Sequence, residues 1–201
     1  MGTVDEGIAT LFSLVSEALA GATDALLGAE VEQANRIVAR DKSVDRLTDD
    51  LTARIWDEFD KLAPDNPELR RLVGLLLILP ELERSADLAE HIAQRALTHL
   101  GPNMSALSRG VVQRMSEVAL DMWRQAAAAY LHRQAAGAAL DEADEELDIL
   151  HGRLTQEVAE SPMPAGVAAQ VTLLGRFYER LGDHAVNLAR RVEVLLPPVP
   201  E

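Results

Sequence analysis

The chain contains no cysteine. Disulfides and thiolate metal sites are therefore excluded, as is usual but not diagnostic of a cytoplasmic protein. Aromatic residues make up only 3%, while alanine and leucine abound, which favours helices over sheets. Basic side chains are scarce: 19 face 33 acidic ones, for a net charge of −14. A surface of that sign repels phosphate backbones and anionic lipid, so no nucleic acid partner is expected. Cations, and basic patches on other proteins, suit it better. Long hydrophobic runs are also missing. The longest, LVGLLLILP at Leu72–Pro80, is too short to span a bilayer and reads as the buried centre of a helix. The opening MGTVDEGIATLFSLV has no basic region before its apolar residues, so no secretory signal is expected.

What is present is helical. The 201 residues allow one large domain or two small ones. Breaks fall at Gly28, LAPDNP (Leu62–Pro67), GPN (Gly101–Asn103), Gly137 and ESPMPAG (Glu160–Gly166), and PPVP is expected to end the order. Between breaks, apolar residues recur every three or four positions, as in Leu47, Leu51, Ile55 and Phe59, and no segment alternates like a strand. The pattern predicts six helices, at roughly 5–28, 30–62, 67–99, 103–136, 139–159 and 165–195.

The chain also repeats itself. LERSADLAEHIAQRA (Leu82–Ala96) matches YERLGDHAVNLARRV (Tyr178–Val192) at an offset of 96 residues. RDKSVDRLTDDLT (Arg40–Thr52) matches ADEELDILHGRLT (Ala143–Thr155) at an offset of 103. The expected fold class is all-α: two tandem three-helix bundles, repeats 1–101 and 102–201, dividing near Gly101.

Each half carries two pairs of acids spaced by four. They are Asp41/Asp45 and Glu83/Asp87, then Asp144/Asp148 and Glu179/Asp183. That spacing puts both carboxylates of a pair on one helix face, about 6 Å apart along the axis. In the first half, the pairs are centred about 22 residues before and 20 after the turn. In the second half, the distances are about 16 and 19. Antiparallel hairpins then bring four carboxylates in each half to one patch, with a mismatch of only ~3–5 Å. Converging carboxylates repel unless protonated or paired. An all-oxygen cluster is the ligand set of a hard cation such as Mg²⁺, Mn²⁺, Ca²⁺ or iron. Manganese, magnesium or iron is expected ahead of calcium or zinc; zinc fits less well because the chain has no cysteine and only five histidines. His91 and Glu90 are further candidate ligands in the first half. Asn187 takes the place of His91 in the second, and Val186 that of Glu90.

The plainer reading is a solvated acidic face, with Arg84 and Arg180 neutralising their neighbours. Catalytic signatures are absent: there is no glycine-rich phosphate loop and no nucleophile elbow, and no glutamate is followed by histidine three residues on. A metal-dependent hydrolase would need a sheltered pocket with an open metal position, which a bundle surface does not offer. His132 and His151 are expected to face solvent. Trp56, Trp123 and Tyr130 are expected in core or boundary positions.

LERSADLAEHIA and YERLGDHAVNLA resemble the paired Glu/Asp-x-x-x-Asp signatures of the PhoU family of bacterial phosphate-uptake regulators. The resemblance extends over nearly the whole chain, including RDKSVD and the proline-containing turn before the third helix. It implies a six-helix, two-repeat, homodimeric protein that is cytoplasmic and not an enzyme. It also implies metal clusters held on the surface by Glu83, Asp87, Glu179 and Asp183, with Asp41, Asp45, Asp144 and Asp148 completing them. The implied partners are the ATPase of the phosphate ABC transporter and a sensor histidine kinase, restrained when phosphate is plentiful, with membrane association only through them. A relative serving another phosphate or ion transporter, or a helical scaffold without a signalling role, is the alternative. Ala86 and Gly182 occupy equivalent positions and suit close helix approach. ESPMPAG lacks the charges of PDNPELRR, so a contact made by the first connection need not recur at the second.

Overall fold

Thr3 starts the first helix. In the computed structural model, which describes residues 3–195, the Glu6 N–H donates to Thr3 Oγ1 (3.2 Å) and the Thr3 N–H to Glu6 Oε2 (2.7 Å). This reciprocal capping box satisfies two amides that the helix leaves open. Helix α1 (Val4–Gly28) follows, then α2 (Val31–Phe59), α3 (Glu68–Leu97), α4 (Leu100–Asn103), α5 (Ala106–His132), α6 (Gly137–Glu160) and α7 (Ala165–Leu195). The described residues thus form seven helices rather than the six expected. The extra one, α4, is a single turn at the GPN break, entered through His99 in the left-handed region. PPVP lies outside the described residues.

The inner helices α1, α3, α5 and α7 carry most of the core. The α1 stripe Ile8, Leu11, Val15, Leu19, Ala22 and Leu26 is buried, while α2 buries only Ala34, Val44, Thr48, Leu51 and Ile55. Among the described residues α1 alone is long and apolar enough to cross a membrane, yet its apolar stripe packs against α2, α3 and α5 as a core helix does. Helix α3 packs on both α1 and α2, and α7 on both α5 and α6. Contacts of α1 with α5 and of α3 with α7 join the two sets. The front of the molecule therefore runs α2, α3, α7, α6.

Helices α3 and α7 cross antiparallel. Thr98 Oγ1 donates to Gln170 Oε1 (3.1 Å), the His91 ring lies 5.5 Å from that of Phe177, and Arg191 donates to Glu81 Oε1 (2.6 Å). Positions related by the 96-residue repeat consequently meet near Ala86 and Gly182. Glu81, only 3% exposed, also accepts from His184 Nδ1, so one buried carboxylate ties two side chains of α7 to α3. A second tie between the repeats is fully buried: Ser116 Oγ donates to Thr23 Oγ1 (2.9 Å), which shares a 2.7 Å hydrogen bond with the Tyr178 hydroxyl. Trp123 and Tyr130 are buried as expected, but Trp56 is 50% exposed and packs edge-on against Phe59. Of LVGLLLILP, Leu72, Leu75, Ile78 and Leu79 are buried, whereas Val73 and Leu77 face out.

Candidate metal centre

The α2/α3 hairpin turns through residues 60–67, where Asn66 Oδ1 accepts from the Glu68 N–H (2.9 Å) and starts α3. From there both helices run far enough to bring Asp41 and Asp45 opposite Asp87. One carboxylate oxygen of each lies within 4.8 Å of the other two. Asp41 and Asp45 are half-buried and Asp87 is exposed. Buried Val44 and Ala86 sit beside them, lining with Asp41 and Glu90 a small cavity that reaches α1.

The electrostatics are those of an unpaired cluster. Partial burial, followed by the charges of Asp45, Asp87 and Glu90, pushes the Asp41 carboxyl up to about 6; His91 pulls the other way. Asp41 Oδ1 is buried without a hydrogen-bond partner. Glu83 is outside the trio but within its field: burial, then Asp87, Asp45 and Asp49, raise its carboxyl above the ordinary range. Asp49 lies four residues beyond Asp45 on α2, so the spacing that singled out the pairs also points to it. Glu90 accepts from Gln94 Nε2 (2.6 Å). His91 is exposed and turned toward Phe177 of α7.

The second half is looser. Burial, then Asp183, Asp148, Glu179 and Asp141, push the Asp144 carboxyl up to about 6, so the four predicted acids do share one field. Among the described residues, however, no second trio of carboxylate oxygens comes within 4.8 Å. Two basic groups missed in the sequence account for part of this. Glu179 is raised by burial and by Asp183, but Arg176, which forms an ion pair with it, and His151 pull it down. Glu179 Oε2 is buried and outside hydrogen-bond geometry, so the Arg176 ion pair is what holds it. His151 is half-buried beside Gly175 rather than facing solvent, while His132 is exposed as expected. Asn187 is half-buried and its side chain makes no hydrogen bond among the described residues. Gly182 permits the α6/α7 approach: a Cβ there would lie 2.6 Å from Leu147 Cδ1 and 2.7 Å from Asp144 Oδ1. Arg84 and Arg180, expected as possible neutralisers, form no ion pair among the described residues.

The first cluster therefore fits a hard cation. It is all oxygen, three of its carboxylates converge from two helices, and one buried oxygen has no partner. The second is an acidic field with its own internal counter-ions.

A family model described as the PhoU domain matches residues 8–96 and again residues 112–192. The chain belongs to the PhoU family. It is 30% identical over 196 residues to the phosphate-specific transport system accessory protein PhoU homolog 2 of Mycobacterium tuberculosis, spanning 96% of this chain and 92% of that one. PhoU homolog 1 of Mycobacterium leprae is also 30% identical over 196 residues, spanning 96% and 88%. In fold, the chain is similar to the crystal structure of PhoU from Pseudomonas aeruginosa, with a TM-score of 0.87 and 21% identity over 94% of this chain and 93% of that one. The phosphate transport system regulatory protein PhoU from Streptococcus pneumoniae gives a TM-score of 0.83 at 19% identity, over 94% and 91%. The two matched segments of the family model contain the α2/α3 and α6/α7 acidic pairs respectively.

Proposed function

We propose that this PhoU protein is a metal-dependent negative regulator of phosphate uptake and phosphate-starvation signalling. It works without catalysis, by contact with the ATPase of a phosphate ABC transporter, a sensor histidine kinase, or both. Family membership supports the phosphate part, as do relatives whose names describe accessory proteins of a phosphate-specific transport system. The observation that carries the metal part is the trio of Asp41, Asp45 and Asp87 with its partnerless buried oxygen.

Asp41, Asp45 and Asp87 would hold the ion, with Glu83 beside them and Glu90 and His91 in reach of the same helices. Asp144, Asp148, Glu179 and Asp183, with Asn187, form the weaker second site. A bound hard cation, Mn²⁺, Mg²⁺ or iron, supplies the positive charge that the cluster lacks. The carboxylates then no longer push α2 from α3, and the front face keeps one shape for partners to read. The acidic surface suits basic patches on those partners. On this reading the protein is a cytoplasmic homodimer that meets the membrane only through its partners.

The test is a deletion strain assayed for phosphate-starvation genes at high phosphate, complemented by wild-type or Asp41→Asn/Asp45→Asn/Asp87→Asn protein. Derepression rescued by wild type alone is the expected result. Unchanged repression on deletion, in a strain without a second copy, would overturn the regulatory reading. Mycobacterium tuberculosis carries two PhoU homologues about equally similar to this chain, at 30% and 31%. Service to a different phosphate or ion transporter is therefore a distinct second reading. Co-purification separates them: a transporter ATPase or sensor kinase supports the first, a lone permease the second.

A further inference from the structure

Between the two acidic clusters, the α3/α7 crossing opens into a cleft of about 160 Å³. Arg84, Asp87, Leu88 and His91 line it from α3, and Arg180 and His184 from α7. Arg84 and Arg180 are repeat-equivalent, 96 residues apart, as are Leu88 and His184, so the cleft sits where the two repeats face each other. It is a basic spot on a chain of net charge −14.

Both arginines of the cleft are exposed and carry no internal counter-ion among the described residues. Along α3 and α7, Arg71, Arg176, Arg190 and Arg191 each pair with a carboxylate, Arg95 lies over the Phe177 ring at 5.6 Å, and Arg70, exposed at the start of α3 and away from the cleft, forms no ion pair among the described residues. Arg84 and Arg180 form no ion pair among the described residues, although acids outnumber bases throughout. Arg84 lowers the carboxyl of its chain neighbour Glu83 against the larger effects of burial and nearby acids, without forming an ion pair with it. Two guanidinium forks that converge on one cleft are the donor set for a tetrahedral oxyanion. His184 adds a further group. Its Nδ1 is committed to Glu81, which leaves Nε2 without a partner among the described residues.

Asp87 looks out of place in an anion site, and it supplies selectivity. An ionised carboxylate can only accept hydrogen bonds. Near neutral pH inorganic phosphate keeps a proton on oxygen and can donate it to such an acceptor. Sulfate has no proton to give and meets only repulsion there. The cleft is roomy enough, since on the same measure about 10–15 Å³ already holds a water.

We propose that the α3/α7 cleft binds inorganic phosphate, gripped by Arg84 and Arg180, with its P–OH donated to Asp87. The protein would then sense the ion directly, at the seam between its repeats. Binding itself does not depend on the regulatory reading above; because the cleft shares Asp87 with the metal trio, it is tested on the metal-free protein.

Isothermal titration of the EDTA-stripped full chain with sodium phosphate, and separately with sodium sulfate at matched ionic strength, is the test. Saturable phosphate binding, at least tenfold weaker for sulfate, is expected. Arg84→Gln and Arg180→Gln should each weaken phosphate at least tenfold, while Arg46→Gln, exposed on α2, should not. Circular dichroism confirms that each variant is folded, and the rise in wild-type unfolding midpoint with phosphate gives a readout independent of the variants. No binding at millimolar phosphate overturns the proposal. So does binding unaffected by both arginine substitutions, or binding seen only after Mn²⁺ is added, which would place the ion on the acidic clusters. Sulfate binding as tight as phosphate removes the role of Asp87. Equal binding of phenyl phosphate would assign the cleft to esterified phosphoryl groups and overturn the free-ion assignment. Mn²⁺ stabilisation, read on the same preparation, reports the metal site separately.

Discussion

A carboxylate oxygen of Asp41 on α2 and one of Asp87 on α3 lie within 4.8 Å of each other, with Asp45 completing the trio. No arginine or lysine pairs with any of the three among the described residues. The repulsion that the sequence shows as a spacing is thus left standing in the fold.

Adding Mn²⁺ to the stripped protein should relieve it. A hundredfold excess over the dissociation constant stabilises by about 2.7 kcal/mol, roughly 5–11 °C in unfolding midpoint for a chain of this length. Asp87→Asn should abolish most of that rise, and Asp183→Asn should leave most of it, because the second cluster closes less tightly. In the absence of metal, Asp87→Asn should raise the midpoint slightly. Equal loss in both variants would contradict the ranking of the two sites.

Acidification gives a second check on the metal-free protein. Asp41 and Asp144 are each raised to about 6, so between that value and the ordinary carboxylate range near pH 4 the folded state binds more protons than the unfolded one. Their contribution is fully present below pH 4 and is lost as pH rises through 6. The midpoint should therefore climb as pH falls from 7 to 5. Glu81, lowered by its His184 and Arg191 hydrogen bonds against the cost of burial, acts in the opposite sense, but only as pH falls below about 4.5. With saturating Mn²⁺ the trend should flatten or reverse, since protons then compete with metal. Differential scanning calorimetry across this range reads both arms.

Glu81→Ala should be among the most damaging surface-remote changes. It leaves Arg191 and His184 without their shared carboxylate inside the α3/α7 interface. Removing one partner of a buried pair costs about 3 kcal/mol or more, or roughly 6–12 °C in midpoint. A shift below ~1 kcal/mol in urea titration would show that the interface does not rely on this tie.

The glycines rank by what a methyl group would meet. At Gly101 it would overlap the backbone carbonyl oxygen of Leu26, which cannot rotate away, so Gly101→Ala should cost about 3 kcal/mol. Gly182→Ala meets only the movable ends of Leu147 and Asp144 and should cost about 1 kcal/mol. At Gly110 nothing lies within 4 Å, and Gly110→Ala, on an exposed turn of α5, should stabilise by roughly 0.5–1 kcal/mol. Chemical denaturation of the three variants checks the order.

Much of this was legible because helices announce themselves locally. The three-four spacing of Leu47, Leu51 and Ile55 marked the buried edge of α2, and the echo of Glu83/Asp87 in Glu179/Asp183 marked the repeat. The single turn α4 was not legible: at four residues, with glycine and proline, it has no periodicity to read. Trp56 misled because an aromatic at a helical spacing reads as core, yet the neighbouring face of α2 has no helix over it.

For the site, the sequence determined the chemistry: eight carboxylates, paired at i, i+4, one pair on each of four helices, with nothing but oxygen to offer. The helical repeat alone fixes which acids share a face. Only the tertiary structure decided which faces meet, because that depends on interhelical distance and side-chain length. It closed Asp41, Asp45 and Asp87 into a trio, brought His151 of α6 within the field of Glu179 on α7, and set Arg84 opposite Arg180 across the α3/α7 cleft.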